Sequence, residues 1–335
     1  MIIFQLKHNK KLTNTFEWFY VRTENMNIMN LINALPGAVA QGLIWGIMAI
    51  GVYITFRILD IADLTVDGTL CTGGAVCIML MLKGQPVWLA MLGGALAGMI
   101  AGMITGILCN FMGIPAILSG ILTQLGLYSV NLKIMGKANQ AINVDKYNLL
   151  VSLRYIKDVP FYKNTIFLVA IIILVSILLL YWFFGTELGC SLRATGCNDN
   201  MARAQGINTD LNKVLGLMIA NGMVALAGSL LSQYQGFADI NMGRGAIVIG
   251  LAAIIIGEAV FGKIFRNFGL RLLGVAGGSI IYYLVLQTVI WRGIDPDLLK
   301  LLSAVVVAIF LAIPTWKSKY FGKILKKGGT PHARN

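Results

Sequence analysis

Apolar runs separated by short polar breaks dominate this chain, and the runs predict its fold. Nine stretches, about Leu35–Ile58, Thr69–Met81, Val87–Phe111, Ile114–Leu132, Asn164–Phe184, Leu211–Gln233, Ile240–Phe261, Leu270–Trp291 and Leu298–Trp316, read as helices buried in or crossing a membrane. A crossing needs roughly 20 apolar residues, and hydrocarbon leaves the backbone no hydrogen-bond partner but itself. The expected fold class is therefore all-α, a polytopic membrane helix bundle of about nine transmembrane helices. The third run carries Gly93, Gly94, Gly98, Gly102 and Gly106, small residues of the kind that let helix backbones approach in lipid. Residues 1–33 form an N-terminal extension whose Phe16, Trp18, Phe19 and Tyr20 suit a membrane interface or a disordered tail equally. Residues 34–317 form the transmembrane domain, and residues 318–335 a basic tail.

The polar breaks hold the candidate chemistry. The first run ends in Arg57-Ile58-Leu59-Asp60-Ile61-Ala62-Asp63-Leu64-Thr65-Val66-Asp67-Gly68, and three carboxylates so near a membrane are costly unless solvated or paired. Asp60 suits a wet loop; Asp63 and Asp67 suit a cavity wall equally well. Gln124 lies inside the fourth run, where a polar side chain faces the bundle for an interhelical hydrogen bond or a solute. Glu258 lies well inside the seventh run with Lys263 five residues on, near enough at a helix end to invite a local pair.

A shift of 176 residues lays Ala62-Asp63-Leu64-Thr65 on Ala238-Asp239-Ile240-Asn241, Gly46 on Gly222 and Ala49 on Ala225. Each copy is a glycine-bearing run, an Ala-Asp break and a second run. An odd number of crossings lies between them, so the halves are expected to be inverted, and paired irregular segments of this kind mark a transport pathway. The second break, Gln233–Gly245, offers Gln233, Tyr234, Gln235, Asp239, Asn241 and Arg244 at the opposite mouth. Amide, phenol and guanidinium groups match a zwitterionic solute; a hydrated turn accounts for the same residues.

Composition narrows the function classes. Hydrophobic residues make up 57% and charged residues 12% of 335, with a mean hydropathy of +0.77, which a water-soluble surface would not tolerate. The formal charge of +13 fits loop lysines beside anionic lipid, and no basic patch interleaved with aromatics points to nucleic acid. The two histidines, His8 and His332, lie near the termini, and the five cysteines form no CxxC pair, so zinc chemistry and intramembrane catalysis lack their usual groups. No GxxxxGK[ST] phosphate loop is present, so this chain is not expected to bind ATP or any other cofactor itself.

Between the fifth and sixth runs lies GCSLRATGCNDNMARAQGIN, residues 189–208, too polar for hydrocarbon. Asn198 is placed to cap a helix of about two turns, Asp199 suits its positive start, and Gly206 suits its stop. The pattern Ser191-Leu192-Arg193-Ala194-Thr195-Gly196, then Asn198, then Ala202-Arg203-Ala204-Gln205-Gly206-Ile207-Asn208 resembles the cytoplasmic coupling loop of ABC importer permeases of the branched-chain amino acid and ribose type. Within that group it is most similar to tryptophan and tyrosine uptake permeases, and the Asp60–Gly68 turn shares the resemblance.

The resemblance implies a coupling loop at residues 185–210, in which Arg193, Thr195, Gly196, Asn198, Ala202, Arg203 and Gly206 meet an ATP-binding subunit. It implies three partners in the bilayer of a bacterial plasma membrane: a second copy of the chain, two ATP-binding subunits carrying ATP and Mg, and an extracytoplasmic substrate-binding protein. The expected function is alternating-access import of a small solute, with an aromatic amino acid favoured and other amino acids, nucleosides or sugars behind it. A secondary transporter with no ATPase would show the same repeat and is the competing expectation.

Overall fold

A computed structural model describes residues 28–144, 146–147, 149–156, 164–265 and 267–292, with 298, 301, 304, 305, 307–309 and 312. The expectations for residues 1–27, for the basic tail and for most of the ninth run lie outside the described residues. Among the described residues ten α-helices follow in order: α1 Ile28–Tyr53, α2 Val66–Leu82, α3 Val87–Asn110, α4 Ala116–Met135, α5 Thr165–Gly185, α6 Glu187–Cys197, α7 Asp199–Ala204, α8 Thr209–Gln235, α9 Ala246–Phe261 and α10 Phe268–Trp291. Two three-residue strands, β1 Asn139–Ala141 and β2 Phe237–Asp239, pair antiparallel.

The chain is an all-α polytopic helix bundle. Among the described residues five helices are long and apolar enough to cross a membrane: Met29–Ile58, Val87–Asn110, Thr165–Gly185, Thr209–Gln235 and Phe268–Trp291. Two further apolar helices, Val66–Leu82 and Ala246–Phe261, are shorter and each begins inside the bundle after a polar break. Helix α1 starts ahead of the expected Leu35, because Met29, Leu31 and Ile32 extend its apolar run past Pro36. The run expected from Ile240 becomes helical only at Ala246, since residues 240–245 make a turn ending in the left-handed Gly245, φ +86°.

The repeat is visible in the packing. Helix α3 lies along α8 as α10 lies along α1; α2 rests on α8 as α9 rests on α1; α2 meets α3 as α9 meets α10. The self-pair of this exchange is α1 with α8, and they run antiparallel. The Tyr234 hydroxyl, near the end of α8, donates to the Gly37 carbonyl near the start of α1 at 3.2 Å, while Gly51 near the end of α1 faces Ala220 midway along α8.

Small residues set how close these helices come. Gly94, Gly98, Gly102 and Gly106 recur one turn apart on α3 and meet Ser229, Ala225 with Asn221, Leu217 and Val214 on α8. Helix α2 touches the same partner, with Gly73 against the Ala225 backbone and Gly228 against Leu70. Outward faces of α3 and α5 remain apolar and exposed at Leu92, Leu96, Ile100, Leu178 and Trp182, as a lipid-facing surface requires.

Candidate functional site

The two breaks differ in what holds them. In the first, the buried Asp63 carboxylate accepts from the Thr65 backbone N–H at 2.9 Å and from Asn221 Nδ2 at 2.6 Å. Asn221 in turn accepts from Thr69 Oγ1 at 2.8 Å, and the Thr65, Thr105 and Thr123 hydroxyls continue the network across α2, α3 and α4. Asp63 therefore ties the break to the middle of α8 and lines none of the cavities described below. A buried carboxylate is tolerable only with this many donors.

Asp67 lies in the first turn of α2 and reaches across to the start of α9. Its two oxygens accept from the Gly245 N–H at 2.9 Å and the Ile247 N–H at 3.1 Å. One carboxylate thus answers the positive ends of two helices, joining the two breaks inside the bundle.

Asp67, Gln124 and Arg244 converge on a narrow cavity of about 110 Å³ that Tyr128 and Asn131 complete. Arg244 and Asn241 also line a larger cavity of about 570 Å³ between α1, α9 and α10, with Gln41, Trp45, Tyr282 and Tyr283. Its aromatic wall is contiguous: Trp45 and Tyr283 lie 5.9 Å apart by ring centroids, Tyr282 and Tyr283 5.4 Å. The Trp45 indole N–H is buried and has no hydrogen-bond partner among the described residues. A cation, amides, an unspent donor and aromatic faces around a space of this size suit a solute with a carboxylate and a flat apolar side chain.

Gln233 is elsewhere. It is fully buried, accepting from the Leu150 N–H at 3.3 Å and contacting Cys77 Sγ at 3.5 Å. Of the six pathway residues expected from sequence, the structure brings four to the two cavities and leaves Asp63 and Gln233 as interior ties. Trp45, Tyr282, Tyr283 and Gln41 escaped sequence reasoning, because aromatics inside an apolar run carry no signal separating a cavity wall from ordinary packing. The Tyr282-Tyr283 pair was the available hint.

At the other end of the bundle, the polar stretch expected to hold one short helix holds two. Helix α6 precedes the expected one, capped by Thr186, whose hydroxyl accepts from the Gly189 N–H at 3.3 Å, with Glu187 in its first turn. Asn212 of α8 donates to Ser191 Oγ at 3.2 Å and Thr195 Oγ1 at 3.0 Å, fastening α6 to the bundle. Gly196 abuts the Ile58 carbonyl closely enough that a Cβ there would overlap it. Ile58 closes a five-residue π-helical turn, Ile54–Ile58, that extends α1.

Helix α7 is capped as its sequence suggests. Asn198 Oδ1 accepts from the Met201 N–H at 3.0 Å, while the Ile207 N–H reaches Ala202 O at 3.1 Å and the left-handed Gly206 reaches Arg203 O at 2.9 Å. Ala202 is buried beneath it, and Arg193 stacks over the Phe268 ring at 5.7 Å. Arg203 bonds Asp210 at 2.7 Å and lies 3.5 Å from Asp199, which Lys213 meets at 3.1 Å.

Burial raises the Asp199 carboxyl, but the Lys213 and Arg203 cations beside it, with the Thr209 hydroxyl nearby though not in hydrogen-bond geometry, outweigh it and hold the group below its ordinary value. A depressed carboxyl adds stability above its unfolded value and loses it as pH falls through the folded one. Pepsin nicking between Met201 and Leu211 is thus expected to rise as pH is taken from about 4 to about 2. Asp199→Asn should be nicked comparably at both; equal protection of the native chain at both values would refute the pairing.

One expected contact is corrected. Glu258 turns away from Lys263 and binds Arg57 through both oxygens, Arg57 Nε to Glu258 Oε1 at 2.8 Å and Nη2 to Oε2. The π-helical turn aims Arg57 at α9, and a paired-nitrogen guanidinium matches a carboxylate better than a flexible ammonium does.

Residues 35–313 match the family model described as branched-chain amino acid transport system / permease component. The tyrosine transport system permease protein of Clostridioides difficile (strain R20291) is 38% identical over 281 residues, 84% of this chain and 91% of that one. An uncharacterized protein of Rickettsia prowazekii (strain Madrid E) is 37% identical over 84% of this chain and 98% of its own. The D-allose transport system permease protein of Escherichia coli (strain K12) is 25% identical over 78% of this chain and 76% of its own. With that match spanning nearly all of the bundle, the chain belongs to the family of branched-chain amino acid transport system permease components, multi-pass membrane proteins that serve as transport subunits.

Proposed function

We propose that this chain is the permease subunit of an ATP-driven importer of an aromatic amino acid, such as tyrosine or tryptophan, in a bacterial plasma membrane. The observation that carries the reading is the cavity where Arg244 and Asn241 stand opposite Trp45, Tyr282 and Tyr283. A carboxylate would bind the guanidinium, and an aromatic ring would lie against the indole and phenols. The tyrosine permease relative supports the same substrate class.

In this reading two copies pack together, ATP and Mg sit on separate ATP-binding subunits beneath α6 and α7, and a binding protein delivers solute at the β1–β2 end. Arg193, Thr195, Gly196, Asn198, Ala202, Arg203 and Gly206 shape the surface that receives the ATP-binding subunit. Closure of the ATPase pair would push α6 and α7 against the α1 terminus and alternate access to the cavity.

Labelled tyrosine and tryptophan uptake in cells expressing the whole system tests this. Arg244→Gln removes one charge-assisted hydrogen bond, about 1.5–3 kcal/mol, and is expected to weaken apparent affinity roughly ten- to a hundredfold. Deleting the ATP-binding subunit should abolish uptake. Uptake surviving that deletion would establish a secondary transporter instead, and native affinity in Arg244→Gln would remove the substrate assignment.

A further inference from the structure

A second large cavity, about 600 Å³, opens at the α6–α7 end between the end of α1, the end of α9 and the start of α10. Tyr53, Arg57, Glu258, Lys263 and Arg271 supply its polar wall. Phe261 and Phe265, stacked with centroids 5.2 Å apart and planes within 8°, supply an apolar one. Arg57 is neutralised by Glu258. Arg271 lies against the Tyr53 hydroxyl, and among the described residues neither Arg271 nor Lys263 has a carboxylate partner. The cleft therefore holds two cations in excess of its one acid.

Its surroundings are aliphatic. Val260, Ile264, Leu270 and Leu273 are exposed around it, Ile264 to 70%. Two spare cations at the ends of three apolar helices, with exposed aliphatic side chains alongside, form the arrangement that receives a phosphate-bearing headgroup whose acyl chains continue over the aliphatic surface.

We propose that this cleft binds a phosphate-bearing anion, and that its source is the headgroup of an anionic phospholipid. Lys263 and Arg271 take the phosphate; the Phe261–Phe265 wall and the Ile264 surface take the glycerol and first methylenes. The site is independent of the transport reading, since no solute pathway is needed to form it.

The test uses the full-length protein in nanodiscs of phosphatidylcholine alone or mixed with phosphatidylglycerol, followed by native mass spectrometry of lipid retained after detergent exchange. Wild type is expected to retain phosphatidylglycerol over phosphatidylcholine. Lys263→Gln with Arg271→Gln is expected to weaken retention roughly fivefold for each cation removed. Glu258→Gln should strengthen it, because the one acid among its described lining residues is lost and Arg57 is freed; this opposite sign separates binding from general damage. Equal retention of both lipids, or a double variant indistinguishable from wild type, overturns the proposal. Displacement of phosphatidylglycerol by millimolar inorganic phosphate assigns the site to free phosphate and overturns the lipid source.

Discussion

Gly73→Val is expected to destabilise the bundle more than Gly126→Val or Gly196→Val does. A Cβ at residue 73 would overlap the Ala225 carbonyl, and the backbone of Gly73 itself is met by Gly94, so α2, α3 and α8 are locked together at this point. The obstacle is the helix backbone at Ala225, which cannot swing aside as a side-chain tip would. Overpacking in a well-packed core typically costs about 1–3 kcal/mol, and a fixed backbone obstacle places this substitution at or above the upper end. At about 1.4 °C per kcal/mol, which roughly 2.1 cal/mol/K of unfolding entropy per residue implies for 335 residues, the melting midpoint should fall by at least about 4 °C. Fluorescence-detected size exclusion after a heating series measures this. Gly126→Val is the control, because Gly126 is exposed with no neighbour within 4 Å of an added Cβ. A Gly73→Val protein as stable as that control would mean that α2 does not sit against α8 as described.

Gly196→Val is expected to abolish transport in a protein that still folds. The added side chain would press on the Ile58 carbonyl and the Leu59 Cα, forcing α6 off the end of α1 at the periphery of the bundle. In our reading that contact delivers the ATPase stroke, so uptake should fall more than tenfold, a loss of over about 1.4 kcal/mol in the coupled step. The ATP-binding subunit should still co-purify, because the exposed face of α7 is untouched. Arg203→Glu attacks the same lever from its far side by facing Asp199 and Asp210 with a third negative charge, and is expected to act in the same direction. Cys197→Val, at an exposed neighbour, should be silent. Normal uptake by Gly196→Val would sever α6 from the coupling path.

The sequence revealed those parts of the fold that repeat. Gly94, Gly98, Gly102 and Gly106 recur every four residues, so their common face was readable before any partner was known. The 176-residue shift likewise anticipated that α1 with α2 would mirror α8 with α9. Caps were legible where they are local: Asn198 and Gly206 sit as their chemistry requires. Helix α6 was overlooked although Thr186 and Glu187 begin it, because the apolar run ends at Phe184 and the polar pattern starts at Gly189, so both residues fall between the two.

Long-range polar partners were not legible. Glu258 had a lysine five residues away and took an arginine 201 residues away, a choice fixed by the direction in which a π-helical turn points. Asp67 showed its acidity but not its task, since nothing in α2 announces that the N–H groups of Gly245 and Ile247 lie opposite. The strand pair was hidden for a simpler reason. Three residues such as Asn139-Gln140-Ala141 have no periodicity to read.

That small ladder makes the two halves unequal. Asn139 faces Asp239 and Ala141 faces Phe237, and the Ile142 and Ile240 N–H groups close both ends, so the second break is laced to the connection after α4. Among the described residues the first break has no such lacing and abuts α6 through Ile58 instead. A machine built from two matched parts would rock equally toward either side of the bilayer. Here one part is tied to a strand ladder and the other rests on α6, so under the mechanism we propose the two parts would move unequally.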